Sequence, residues 1–239
     1  MKKILFALLL TCLNCSITWS GTTGDINGDD KVGLQEAVHA LQVTAGIATP
    51  DIVESPPAPV SKTGQTISYS PRDDGYFERG VTIPTPRFRD NGDGTVTDNL
   101  TGLIWLKNAN ADGNQRIWSQ AFSCVTQLNN YGTMNGSDCG DTSNGGSHQT
   151  DWRLPNRFEL ESLINLAYYS PCMSNTHGDA KWSENDPFTN IRSGWYWSSS
   201  RYAFFADDYP WVVNLGTGEV DNKPNSGYAY IWPVRGGNY

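Results

Sequence analysis

Asp151-Trp152-Arg153-Leu154-Pro155-Asn156-Arg157-Phe158-Glu159-Leu160 is the stretch on which the fold turns. Asn156 has the short oxygen-bearing side chain that accepts from the free N–H groups at a helix start, and Glu159, three residues on, can bond back to the Asn156 N–H. A helix is therefore expected here. Its apolar face is Leu160, Leu163, Ile164 and Ala167. Upstream, across a Gly/Ser/Asn-rich loop at 129–150, Trp118, Ala121, Val125 and Leu128 mark one face of another helix. Before it, Thr95–Thr97 and Leu103–Lys107 read as short strands joined by a turn at Asn99–Gly102. After Asn156 come Tyr196–Ser200, Trp211–Leu215 and Tyr230–Arg235, all strand-like. The pattern is α+β: two helices packed on a twisted, mostly antiparallel sheet.

These residues also carry a resemblance. Phe88–Asp98, Thr101-Gly102-Leu103-Ile104-Trp105, Asp151–Pro155, Tyr196–Ser199 and Pro233-Val234-Arg235-Gly236-Gly237 resemble the Legionella collagen-like adhesin C-terminal domain (Lcl C-terminal) family. The match runs in order from about Thr63 to Gly237. The family's namesake is a surface adhesin that binds host glycosaminoglycans, so the resemblance implies extracellular binding and adhesion, with the ligand left open. More widely, the Trp-Arg-Leu-Pro, Trp-Ser-Ser and Val-Arg-Gly-Gly stretches are similar to the formylglycine-generating-enzyme fold, a variant of the C-type lectin-like fold. The chemistry of those relatives does not come across. No cysteine follows Cys172, and the nearest approach to a lectin sugar motif is Lys223-Pro224-Asn225, with a lysine in place of the acid.

The chain opens Met1-Lys2-Lys3, then an apolar run from Ile4 to Leu13, then small residues through Ser20. This is the pattern of a secretory signal over 1–20. The apolar run is shorter than the ~20 residues that span a bilayer. Neither Thr11 before Cys12 nor Asn14 before Cys15 is the small residue that lipid attachment favours. The expected location is secreted, periplasmic or at the cell surface. Losing the two signal lysines takes the net charge from −8 to −10, which argues against a nucleic-acid partner. Three cysteines then remain. Three pairings are open, and Cys124–Cys139 is preferred because a single loop joins them.

Residues 21–48 form a unit of their own. The loop Asp25-Ile26-Asn27-Gly28-Asp29-Asp30-Lys31-Val32-Gly33-Leu34-Gln35-Glu36 places Asp25, Asn27, Asp29, the Lys31 carbonyl and Glu36 where an EF-hand loop holds its oxygen ligands. Calcium is the expected ion. Leu34, Ala37, Val38 and Leu41 follow at helical spacing. This loop and helix resemble half of a dockerin, which implies a cohesin-type partner. A dockerin has two such repeats and this chain has one. Residues 49–66, with Ser55-Pro56-Pro57-Ala58-Pro59, read as an extended linker, and 67–239 as the Lcl C-terminal-like domain. The second acidic stretch, Asp90–Asp98, puts glycines at ligand positions and is read as hairpin turns.

Catalytic patterns are weak. Glu159 and Glu161 are two apart on a helix and face different ways, and Ser198–Ser200 lacks a nucleophile elbow. No enzyme activity is expected. Among the aromatics between 195 and 211, Trp197 and Trp211 suit a core. Tyr202, Phe204 and Phe205 lie between the strands and are the candidate contacts for a glycan or protein ligand. Calcium titrated into the mature protein is expected to reveal one saturable site, absent in Asp25→Ala. A wild type without saturable binding overturns the loop assignment.

Overall fold

The computed structural model describes residues 60–205 and 208–236, together with Leu34, Ala37, Val38 and Leu41. Those four are helical, as their spacing predicts, and their side chains are exposed. The chain divides into two compact units, Met1–Pro57 and Ala58–Tyr239. No helix among the described residues is long and apolar enough to cross a membrane.

The larger unit is α+β with antiparallel sheets. In chain order it holds α1 (Asp74–Phe77), β1 (Phe88–Asp90), β2 (Thr95–Asp98), β3 (Leu103–Leu106) and α2 (Trp118–Tyr131). A small hairpin of β4 (Thr133–Met134) and β5 (Ser137–Asp138) follows, then α3 (Arg157–Glu161). The chain closes with β6 (Trp195–Arg201), a 3-10 turn at Ala203–Phe205, β7 (Pro210–Asn214), β8 (Val220–Asn222) and β9 (Val234–Gly236). One sheet has the order β1-β2-β3-β9 and another β6-β7-β8. The Asn-Gly and Asp-Gly turns between β1 and β2 are hairpin turns, as the sequence suggests.

The 230–234 segment runs from one sheet to the other. Tyr230 exchanges backbone hydrogen bonds with Trp195 and Trp197 at β6, Pro233 accepts from the Leu106 N–H in β3, and Val234 pairs with Arg153. A single strand over Tyr230–Arg235 is therefore not what forms. Only Val234–Gly236 joins β3. Between the sheets lies a chain of buried rings. Phe88 meets Phe188 with centroids 5.0 Å apart, Phe188 meets Trp232 at 4.9 Å, and Trp232 meets Trp105 at 5.3 Å. The Trp232 indole also donates to the Leu106 carbonyl at 2.7 Å, so this buried ring has its polar atom satisfied.

Helix α2 buries Trp118, Ala121, Cys124, Val125 and Leu128, the expected face plus one cysteine, and ends at Gly132 in the left-handed conformation. Helix α3 begins with the expected capping box: Asn156 accepts from the Glu159 N–H, and Glu159 accepts from the Asn156 N–H. It stops at Glu161, however, well short of Ala167. The Asn165 N–H bonds to the Cys172 carbonyl and the Leu166 N–H to the Thr63 carbonyl. Distant backbone thus takes the donors that a longer helix would need. The latter bond and Lys62 N–H to Val81 O also fasten residues 62 and 63, within the range read as linker, to the domain.

Beneath this lies a buried ion pair. Arg87 is 1% exposed and Asp98 is fully buried. The guanidinium donates to both carboxylate oxygens, at 2.8 and 2.9 Å, and to the Ser162 carbonyl at 2.7 Å. Asp98 also accepts from the Leu100 N–H and the Thr101 hydroxyl. A second buried carboxylate organises the long loop. Asp141 accepts from the Ser143 N–H and hydroxyl, the Gln149 N–H and the Trp152 indole. Gly94 fits under this loop because a side chain there would strike the Gly140 carbonyl, and its φ is +83°.

Asp98→Asn should remove about 3–5 kcal/mol of stability in urea unfolding, because it leaves Arg87 charged and poorly paired in the interior. Replacing both partners by apolar residues should cost less than either single change. A single-site loss under ~1 kcal/mol would place the pair among weak surface bridges. For Asp141, burial pushes the carboxyl up, but the bonds from Ser143, Gln149 and Trp152 outweigh it and hold it below the usual carboxylate range. Its stabilising effect is full above the unfolded value of about 3.9 and fades as pH falls through the lower folded value. Melting curves between about pH 6 and pH 2 should show a shallower acid limb for Asp141→Asn than for wild type.

Candidate functional site

The turn between β6 and β7 and the first turn of α3 bring exposed aromatics and arginines together. Pro155 accepts from the Ser199 N–H and hydroxyl, and the Ser200 hydroxyl accepts from the Arg157 N–H. These bonds fix α3 against β6. Arg157 then lies with its guanidinium carbon 4.6 Å from the Trp211 ring centre and 5.1 Å from that of Phe158. Tyr202 meets Trp211 edge-on at 5.3 Å, and Phe204 follows at 6.4 Å from Tyr202. Arg201, next in the chain to Tyr202, sits 4.3 Å from the Trp118 ring, and Trp118 meets Phe122 edge-on at 4.6 Å. The Trp118 indole donates to the Ser198 carbonyl, which anchors that ring to β6.

Phe158 is 71% exposed and Phe204 76%. Tyr202 and Trp211 are half-buried. An arginine over an aromatic face is a cation–π contact that orders the ring without covering both of its sides. The result is a ladder of aromatic faces and edges, with two guanidinium groups placed among them, on a protein that is acidic as a whole. Such a surface can stack on the apolar face of a sugar ring or anchor a protein interface.

Tyr202 and Phe204 take part as the sequence suggests. Phe205 lies in the 3-10 turn beside them. Trp197 is fully buried, as expected of a core residue, while Trp211 lies at the ladder. Arg157, Phe158, Arg201, Trp118 and Phe122 were not among the expected contacts. Phe158 was detectable: it falls outside the Leu160, Leu163, Ile164 face, so a helix beginning at Asn156 must present it elsewhere. The serines of Ser198–Ser200 and the Glu159 carboxylate are occupied structurally. Glu159 is held by Arg153 through two bonds of 2.7 Å each.

The loop residues Asp25, Asn27, Asp29, Lys31 and Glu36 lie outside the described residues. Cys124 and Cys139, the preferred disulfide, are both free and buried in this structure, as is Cys172. Cys139 donates its N–H to Gly132 at the end of α2. Position 124 lies eight residues earlier on that helix, about 12 Å along its axis. The Cys124 thiol instead meets Asp112 Oδ1 at 3.5 Å. Burial, reinforced by that carboxylate, pushes the Cys124 thiol up to about 11.

The motifs that build this frame are those of a known family. The model of the Lcl C-terminal domain matches residues 94–235. The chain belongs to that family. No curated protein matches it. Within the Lcl C-terminal domain, Asp151 pairs with Arg235 at 2.7 Å, Arg153 bonds Gly236, and Trp152 is buried with its indole on Asp141. These residues, on which the resemblance was read, therefore close the fold. The ladder is assembled on that frame largely from side chains of α3 and the β6–β7 turn.

Proposed function

We propose that this is an exported, adhesin-like surface protein whose Lcl C-terminal domain binds an extracellular glycan through the ladder from Phe158 to Phe204. The carrying observation is the exposure of Phe158 and Phe204 at the two ends of a series of rings ordered by Arg157 and Tyr202. Pyranose rings present apolar C–H faces that match such rings, and the guanidinium groups can donate to sugar hydroxyls or acidic substituents. The mixed α+β arrangement supports a C-type lectin-like reading of the fold. In that reading, ligand contacts come from loops rather than from an interior cavity.

In the same proposal calcium belongs to the N-terminal unit. Asp25, Asn27, Asp29, the Lys31 carbonyl and Glu36 would hold it, and the ion would stiffen the loop ahead of the helix. A second reading has this segment dock the protein on a scaffold or envelope partner of cohesin type. The specific observation in its favour is the exposed helical stripe Leu34, Ala37, Val38 and Leu41.

A glycan array probed with the mature protein tests the first reading. Hits should weaken about tenfold in Phe204→Ala and in Trp211→Ala, equivalent to about 1.4 kcal/mol, and persist in Leu41→Ser. Hits unaffected by both aromatic changes would remove the ladder as the site. Capture of a partner that depends on Leu41 and on calcium, with no glycan hits, would favour docking.

A further inference from the structure

A groove runs beside residues 60–63, with Phe158 but not Phe204 of the ladder in its lining. It has two lobes that share Ser61 and Glu161. The larger encloses about 500 Å³ and has aliphatic walls from Val60, Val81 and Leu100, with Phe158 at its side. The smaller, about 230 Å³, is walled by Ile164, Leu166 and Val220. Ser61, Thr101 and Ser162 add hydroxyls to the larger lobe and Lys62 and Thr63 line the smaller, so each lobe is mixed with an aliphatic wall, and the one carboxylate common to both is Glu161.

That carboxylate is half satisfied. Oε1 accepts from the Arg157 Nε, and Oε2 has no hydrogen-bond partner among the described residues. The side chain is 28% exposed. Lys62, the cation lining the smaller lobe, is already paired with Glu78 at 3.4 Å. The Arg157 guanidinium gives its Nε–H to Oε1 and lies against the Trp211 and Phe158 rings, which turns it toward the ladder. A ligand N–H that reached Oε2 would make a charge-assisted bond without displacing a protein donor. The net negative charge favours a cation at this place over an anion.

The walls then choose among cations. Aliphatic surface on both sides of the carboxylate favours ligand groups that gain from burial, while the hydroxyls of Ser61, Thr63, Thr101 and Ser162 are left to meet the polar groups of a ligand backbone. Apolar side chains gain from the same burial. In an extended chain, residues i−2, i and i+2 point to one face, roughly 7 Å apart. A peptide reading apolar, any, basic, any, apolar therefore sets a cation between two apolar groups, which is the order of the groove.

We infer that this groove binds an extended peptide that seats a lysine or arginine on Glu161, with an aliphatic side chain in each lobe. The groove shares Phe158 with the ladder, but Phe204 and Trp211 are not in its lining, so changes at those two residues separate peptide binding from glycan stacking.

The probe is fluorescein-labelled Val-Ala-Arg-Ala-Val-amide, titrated by anisotropy into the full mature chain. Saturable binding is expected, weakened at least tenfold when citrulline replaces arginine and to the same extent by Glu161→Gln. Because Glu161 also holds Arg157, Ser61→Trp serves as a second variant: it fills the junction of the lobes, leaves the carboxylate in place, and should abolish binding. Equal affinity for the arginine and citrulline peptides overturns the proposal, as does wild-type affinity in Ser61→Trp. So does an absence of peptide binding, whether or not a glucosamine tetramer binds in its place. Loss of glycan binding in Phe204→Ala with peptide binding intact would confirm that the two sites are distinct.

Discussion

The Arg87–Asp98 pair is the constraint on which the architecture hangs. A buried carboxylate facing a buried guanidinium is costly to assemble and far more costly to leave half made. Here the pair is completed from three places in the sequence. Asp98 ends β2, Arg87 precedes β1, and the Ser162 carbonyl terminates α3. The first hairpin, the turn at Leu100–Thr101 and the exit of α3 are thereby held to one point. The core rings begin at the next residue, Phe88, whose ring lies 4.8 Å from the Arg87 guanidinium carbon. Once that point is set, the direction in which α3 presents Arg157 and Phe158 is largely determined.

A division of labour follows along the chain. The residues that close the frame are committed to one another: Asp151 with Arg235, Arg153 with Glu159 and Gly236, Trp152 with Asp141. The Trp197 indole reaches the Arg116 carbonyl at 2.6 Å, which ties β6 to the approach of α2. These polar groups are spent on one another even where, as at Asp151 and Arg153, the side chain is partly exposed. The side chains that do face outward, Phe158, Phe204 and one oxygen of Glu161, lie beside these committed residues and contribute little to the core. They can change without disturbing the frame.

What could be read from the sequence tracks how local the cause is. The capping box at Asn156 and the buried face of α2 depend on residues within a few positions of each other, and both form as expected. The end of α3 does not, because the bonds that stop it come from Cys172 and Thr63. The split of Tyr230–Arg235 between two sheets has the same origin: its period fits a strand, but its partners lie in β6, β3 and the Arg153 segment. Strand β8 was not among the expected strands, because its three residues carry too short a pattern to stand out. Tyr202 and Phe204 were legible as aromatics between strands. Arg157 and Arg201 were not, since only the fold sets a guanidinium over a particular ring.

The segment that crosses between the sheets bears on how the domain is held shut. Trp232 lies at the centre of the ring chain, Tyr230 completes the edge of β6, and Val234–Gly236 seals β3. All three lie within the seven residues 230–236. Without that segment the strands before it lack both their closing edge and their central indole, and the domain has no finished core to lock into. Both sheets therefore share one latch, and loosening it opens them together.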